Sequence, residues 1–185
     1  MPQTPLTTAQ VDDLLFESEG RPTLYNGRDP DPLNLAHSLA RHYLVTNSEM
    51  QRRVDAKGHG QIALITAFIT RKDMVAAAVL VLNSPVGIWA RSQLFDTPAS
   101  LARPRGSHTG MRAVIEYHGN WECRVRYAGG EGTMPVNSFK MLLDRVDERN
   151  LKLHVHTFYP TLPMKTVVSN AEVRYQDRKP FSRFP

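Results

Sequence analysis

Apolar positions along this chain change their period once, near the middle. Up to about residue 95 they recur at helical spacing; beyond residue 111 they alternate. Leu35, Leu39 and the Tyr43/Leu44 pair predict a first helix over 33–44. Thr46-Asn-Ser-Glu49 has the form of a capping box, in which hydroxyl and carboxylate satisfy the free amides of a helix start. It predicts a second helix running to about Val54 or Lys57 and ended by Gly58. Gln61 to Phe68 is apolar and β-branched, a short strand. Thr70-Arg-Lys-Asp73 suits the start of another helix, Met74 to Leu82, apolar on most sides. Pro85 interrupts it, and Val86 to Leu94 reads as a further helix carrying Trp89. Residues 96–110 read as a loop.

In the second half, Met111 to Tyr117 and Glu122 to Tyr127 read as strands, joined by a hairpin turn at His118-Gly-Asn120. Residues 129–132 read as a flexible turn. Val136 to Asp144 and Leu151 to Tyr159 make a second hairpin, and Val167 to Tyr175 adds an edge strand. Residues 1–32 are interrupted by Pro, Gly and Asp and read as an irregular acidic leader, with one short helical stretch around Val11 to Phe16. Helices followed by antiparallel strands define an α+β chain. The expected organisation is a leader (1–32), one domain (33–161) and a C-terminal extension (162–185).

Composition narrows the options. A length of 185 residues, with 41% hydrophobic and 22% charged residues, fits one folded domain with a real core. No apolar run approaches the roughly 20 residues of a membrane span. The N-terminus lacks the basic start and apolar stretch of a secretory signal. A single cysteine, Cys123, excludes an intrachain disulfide and a zinc knuckle. The net charge is +5, unevenly spread: residues 1–34 hold six acids against Arg21 and Arg28. The rest is therefore strongly basic, which points to a polyanionic partner such as nucleic acid. The acidic leader could lie over that basic face and screen it.

Two short motifs hold the candidate chemistry. One is AHSLARH (36–42), followed by Arg53; the other is HTFYP (156–160). His42 can take and return a proton near neutrality. His37, five residues earlier, would sit about 140° away around a helix and face elsewhere. Arg53 follows on the second helix and presents a fork of donors to a phosphate, with Arg52 as its rival. Strand alternation puts Thr157 and Tyr159 on one face with Val155, and His154 and His156 on the other. His156 reaches the site only if the strand bulges. Together the motifs offer an imidazole, a guanidinium, a hydroxyl and a phenol, which suit cleavage of a phosphodiester in RNA. Other chemistries lack support. GGEG (129–132) has no P-loop setting, and neither HExxH nor a GxSxG elbow occurs. His59 and His108 fall in loops and His118 in a turn.

The ordered set resembles the ribonuclease A-like toxin domains at the C-termini of CdiA-type contact-dependent inhibition proteins. The matching pieces are AHSLARH with Arg53, ITAF (65–68) with the following Ala-rich helix, GIWA (87–90) and HTFYPT (156–161). The likeness spans about Leu35 to Thr161. Ala36 and Ser38 stand where the family usually has Gly and Thr. The resemblance implies N-terminal helices packed on a curved antiparallel sheet, ribonuclease A-like without disulfides. It implies His42, Arg53, Thr157 and Tyr159 as catalytic residues, with His37, Arg52 and His156 in support. The implied activity is metal-independent endoribonuclease cleavage to a 2′,3′-cyclic phosphate, with no cofactor. The implied setting is a bacterial toxin acting in the cytoplasm after signal-independent delivery. The implied substrate is RNA, with tRNA among the candidates, and the implied partner is a cognate immunity protein. The alternative is a non-catalytic RNA- or protein-binding module of the same fold.

Overall fold

The computed structural model describes residues 4–21, 35–56, 65–96, 111–128, 132–147, 152–162, 169–174 and 180–185. Their order is α1 (Thr8–Ser18), α2 (Ser38–His42), α3 (Asn47–Asp55), β1 (Thr66–Phe68), α4 (Arg71–Asn83), α5 (Pro85–Asp96), β2 (Met111–Tyr127), β3 (Thr133–Asp147), β4 (Lys152–Thr161), β5 (Asn170–Arg174) and β6 (Pro180–Arg183). The class is α+β: helices against an antiparallel sheet in the order β4-β3-β2-β5-β6, with β1 also paired to β2. The expected loop over 96–110 and turn over 129–132 fall almost wholly outside the described residues, as do His59 and His108.

Pleating divides this sheet into an apolar and a polar face. Ala113, Ile115, Phe139, Met141, Leu143, Val155, Phe158 and Val173 are buried on the first. There α4 and α5 contribute Met74, Ala77, Ala78, Val81, Val86 and Leu94 to the same core. Phe158 and Phe139 stack on Phe68 of β1 at ring distances of 5.4 and 6.1 Å. At the corner between α4 and α5 only glycine fits: a Cβ on Gly87 would run into the Val81 carbonyl. Arg112, Glu116, Lys140, Asp144, Thr157 and Tyr159 occupy register positions on the polar face.

The structure differs from the sequence expectations in several places. His118-Gly-Asn120 is no hairpin turn. β2 runs through it as one strand, with four residues (119–122) facing only Asn137 of β3. Both halves pair with the same partner, so the chain has no need to reverse. The strand at 170–174 is internal, with β2 on one side and β6 on the other. The residues after 161 thus extend the sheet of the central part.

The N-terminal segment is also ordered where it is described. Thr7 and Gln10 form a reciprocal capping box at the start of α1. Val11 and Leu15, four residues apart, are completely or almost completely buried in the main core. Glu19 reaches the exposed amides of α2, accepting from Leu39 N at 2.8 Å and Ala40 N at 3.0 Å. That is a favourable place for a carboxylate, because the helix dipole is positive there. An acidic residue of the leader therefore caps a helix. Leu15→Ala should lower unfolding free energy by about 2–5 kcal/mol, the range for emptying a leucine site in a core. Urea denaturation checks this, and a loss below about 0.5 kcal/mol would show α1 to be a dispensable appendage.

Candidate active site

The site forms where α2 meets the polar face of β4, and a β-bulge makes it possible. Thr157 pairs with Leu142 and Val155 with Leu143, so His156 is one residue too many for the ladder. The bulge reverses the alternation. Val155 points into the core, whereas Thr157, Tyr159 and Thr161 take polar-face register with Leu142, Lys140 and Ser138. The expectation that Thr157 and Val155 share a face is therefore corrected. His156 is brought towards the site, with Nδ1 3.8 Å from Asp144 Oδ2. A signal was present in the sequence: Val155 and Phe158 are both apolar but three apart, an odd spacing that unbroken alternation cannot bury on one face.

β4 is the outermost strand of the sheet, and backbone groups at its bulge are satisfied by neighbouring elements, which fixes those elements in place. The His156 carbonyl accepts from His37 N at 3.0 Å. Val155 N donates to Ser18 Oγ at 3.0 Å, and that hydroxyl donates to Leu14 O at 2.6 Å. β4, α1 and the start of α2 are thus tied at one point.

His37 lies outside the helix, at its N-cap, with φ −148°. The helix expected over 33–44 is only five residues long because Ala36 and His37 are taken up by contacts with Arg21 and β4. The helical-wheel separation of His37 from His42 consequently does not apply. Their ring centroids are 6.1 Å apart, and His37 packs edge-on against His156 at 5.3 Å. Tyr159 stacks on His42 at 5.0 Å. Three imidazoles and one phenol therefore share one corner. Among the described residues no group of three His, Cys, Asp or Glu is placed to hold a metal ion.

The two arginines separate clearly. Arg52 lies on the solvent side of α3 and pairs with Glu49 at 2.7 Å. Arg53 is half-buried and donates to Arg41 O at 3.1 Å, the carbonyl next to His42. Its charge is felt at His42. Another arginine holds this arrangement: Arg126 of β2 donates to Tyr43 O, Val45 O and Asn47 Oδ1 at 2.9–3.1 Å. It clamps the connection between α2 and α3. No sequence motif marked Arg126, since its partners are distant backbone carbonyls. Asp144 was missed for a similar reason. It is buried beneath His156 and takes two hydrogen bonds from Arg112, at 2.6 and 2.7 Å.

No family model matches this chain, and neither does any curated protein. One solved structure is similar. It is a chain from the crystal structure of a CdiA-CT/CdiI complex from Y. kristensenii, at 21% identity and a TM-score of 0.43, covering 68% of this chain and 98% of that one.

Electrostatics set the protonation states. His42 is buried, and desolvation holds its pKa down to about 3, partly countered by the Thr66 carbonyl 3.4 Å from Nδ1. A carbonyl can only accept, so Nδ1 carries the proton and Nε2 is the basic nitrogen. His156 is also held down to about 3, by burial first and then by the Arg112 charge. His37 is lowered by burial as well, and its Nδ1 meets Leu35 O at 2.7 Å. Burial pushes the Tyr159 phenol above its ordinary value, so it stays protonated at neutral pH. The Thr157 hydroxyl is buried and makes no hydrogen bond among the described residues. Leaving such a group unpaired costs about 1–3 kcal/mol, a common mark of a functional position.

These shifts make stability depend on pH. The folded pKa of His42 lies below its unfolded value, so the unfolded chain binds the proton first on acidification. The stability contribution is complete above about pH 6.5 and is lost as pH falls towards 3. The full slope is about 1.4 kcal/mol per pH unit for this one group. Urea midpoints should fall steeply between pH 6.5 and 4 and less steeply in His42→Asn. Equal slopes in the two proteins would contradict the buried neutral imidazole.

Proposed function

We propose that this chain is an endoribonuclease that cleaves RNA through attack of the ribose 2′-hydroxyl, and that it serves as a bacterial toxin. The observation that carries the reading is the stacked His42–Tyr159 pair with Arg53 beside it. That grouping places a neutral base, a protonated phenol and a fixed cation in one corner.

RNA supplies its own nucleophile, so the protein needs only to move protons and stabilise charge. His42 Nε2 takes the 2′-hydroxyl proton. The oxygen attacks the adjacent phosphorus, and the 5′-oxygen leaves, giving a 2′,3′-cyclic phosphate. Arg53 stabilises the charge that builds on the phosphate oxygens. Thr157 binds a phosphate oxygen with its orphaned hydroxyl. Tyr159 positions the chain and donates towards the leaving oxygen. His37 packs beside the base and His156 packs against His37, and Arg52 takes no part in this arrangement. A pKa near 3 makes His42 a weak base in the free protein, but the arriving phosphodiester anion favours the imidazolium and raises it.

The test is incubation of purified protein with RNA in EDTA, followed by analysis of the ends. Cyclic phosphate termini with wild type, and DNA left intact, are expected. RNA binding that weakens steeply with salt but gives no cleavage would instead establish the binding-module alternative. Growth inhibition on cytoplasmic expression, relieved by a co-expressed cognate immunity protein, tests the toxin role.

A further inference from the structure

Beside the proposed catalytic corner, the polar face of the sheet holds a recess of about 330 Å³. Two cross-strand rows build it. In one, Glu116 of β2, Lys140 of β3 and Tyr159 of β4 lie side by side; in the other, His118, Ser138 and Thr161 do so. Tyr159 belongs to both places: its ring stacks on His42 and its side chain also lines the recess. A chain with its scissile phosphate at His42 and Arg53 therefore has this recess within one residue's reach.

The polar groups of the recess are fixed before any ligand arrives. Lys140 Nζ donates to Glu116 Oε1 at 2.7 Å. His118 Nδ1 lies 2.7 Å from Ser138 Oγ, and its backbone is held by Ser169. The lysine ammonium can only donate, and the glutamate, as a carboxylate, can only accept. A carboxylate disfavours a second phosphate here, and the Lys140–Glu116 pair is neutral overall. Side by side, the two read an edge on which a hydrogen-bond donor adjoins an acceptor, which is the pattern that distinguishes nucleobases.

We infer that the recess lined by Glu116, Lys140, His118, Ser138, Thr161 and Tyr159 is a nucleobase subsite that sets the base preference of cleavage. The inference rests on the ribonuclease reading above. Rigid, paired side chains give a basis for selectivity, because a wrong base leaves a donor or acceptor without a partner.

Four oligodeoxynucleotides, each with one ribonucleotide (A, C, G or U), test it. Each has a single 2′-hydroxyl and so a single cleavable bond. Wild type should cut its best substrate at least about 10-fold faster than its worst. Glu116→Gln and Lys140→Met should each bring that ratio to within about 3-fold, with thermal melting showing both folded. The ratio is the readout because a general effect of Lys140 on Tyr159 cancels from it. Wild type cutting all four substrates equally, or both variants keeping the wild-type ratio, overturns the subsite while leaving the ribonuclease reading standing. No cleavage of any substrate by wild type overturns that reading and the subsite with it.

Discussion

His42→Ala is expected to lower kcat/KM for RNA cleavage by about 10²–10⁴-fold, the range supplied by a positioned general base. The loss should fall mainly on kcat, since the proton moves only in the transition state. Its pH dependence adds a sharper expectation. In the free protein the imidazole is neutral down to about pH 3, so the acid limb of kcat/KM should lie well below pH 6. A bound phosphate raises the His42 pKa, so the acid limb of kcat should lie at higher pH than that of kcat/KM. Removing Arg52, which pairs with Glu49 in solvent, should change cleavage far less than removing Arg53. A His42→Ala protein that is folded and cuts RNA at the wild-type rate would end the proposed mechanism.

The second large effect concerns stability. Asp144→Asn should destabilise the fold by about 3–5 kcal/mol. It leaves the Arg112 guanidinium buried without the carboxylate that now takes two of its hydrogen bonds. The variant keeps the size of the side chain, so the loss reports charge and hydrogen bonding, not a cavity. The double variant Arg112→Met/Asp144→Leu should regain most of the stability, because it buries no lone charge. It would also remove the carboxylate beside His156. Urea denaturation of the three proteins decides the matter. A cost below about 1 kcal/mol for Asp144→Asn would mean that the pair contributes little.

Much of the local structure was legible along the chain. Thr46 and Thr70 cap α3 and α4 by accepting from the amides of Glu49 and Asp73, as their positions predict, whereas the Glu49 carboxylate expected to complete the box pairs with Arg52 instead. The apolar run from Met74 to Leu82 is a buried helix, and Pro85 starts the next. Helix caps and strand alternation act over a few residues, so neighbouring side chains are enough to reveal them. α1 was only half visible: the stretch from Val11 to Phe16 reads as helical, but Thr7 and Gln10, which lengthen the helix, lie among residues that read as irregular.

The sequence by itself determined the type of most helices and strands from Thr46 to Thr161, the absence of an internal disulfide, and the residue types available for acid–base chemistry. Tertiary structure alone decided how they meet. Ladder register places His156 in a bulge and turns Thr157 and Tyr159 away from Val155. Long-range hydrogen bonds then seat α2 on β4 and bring His37 beside His42. Arg112 reaches Asp144 from 32 residues away, and Arg126 clamps carbonyls about 80 residues away. The reason is physical: register and the capture of freed backbone groups depend on which strand lies alongside, and no local spacing carries that information.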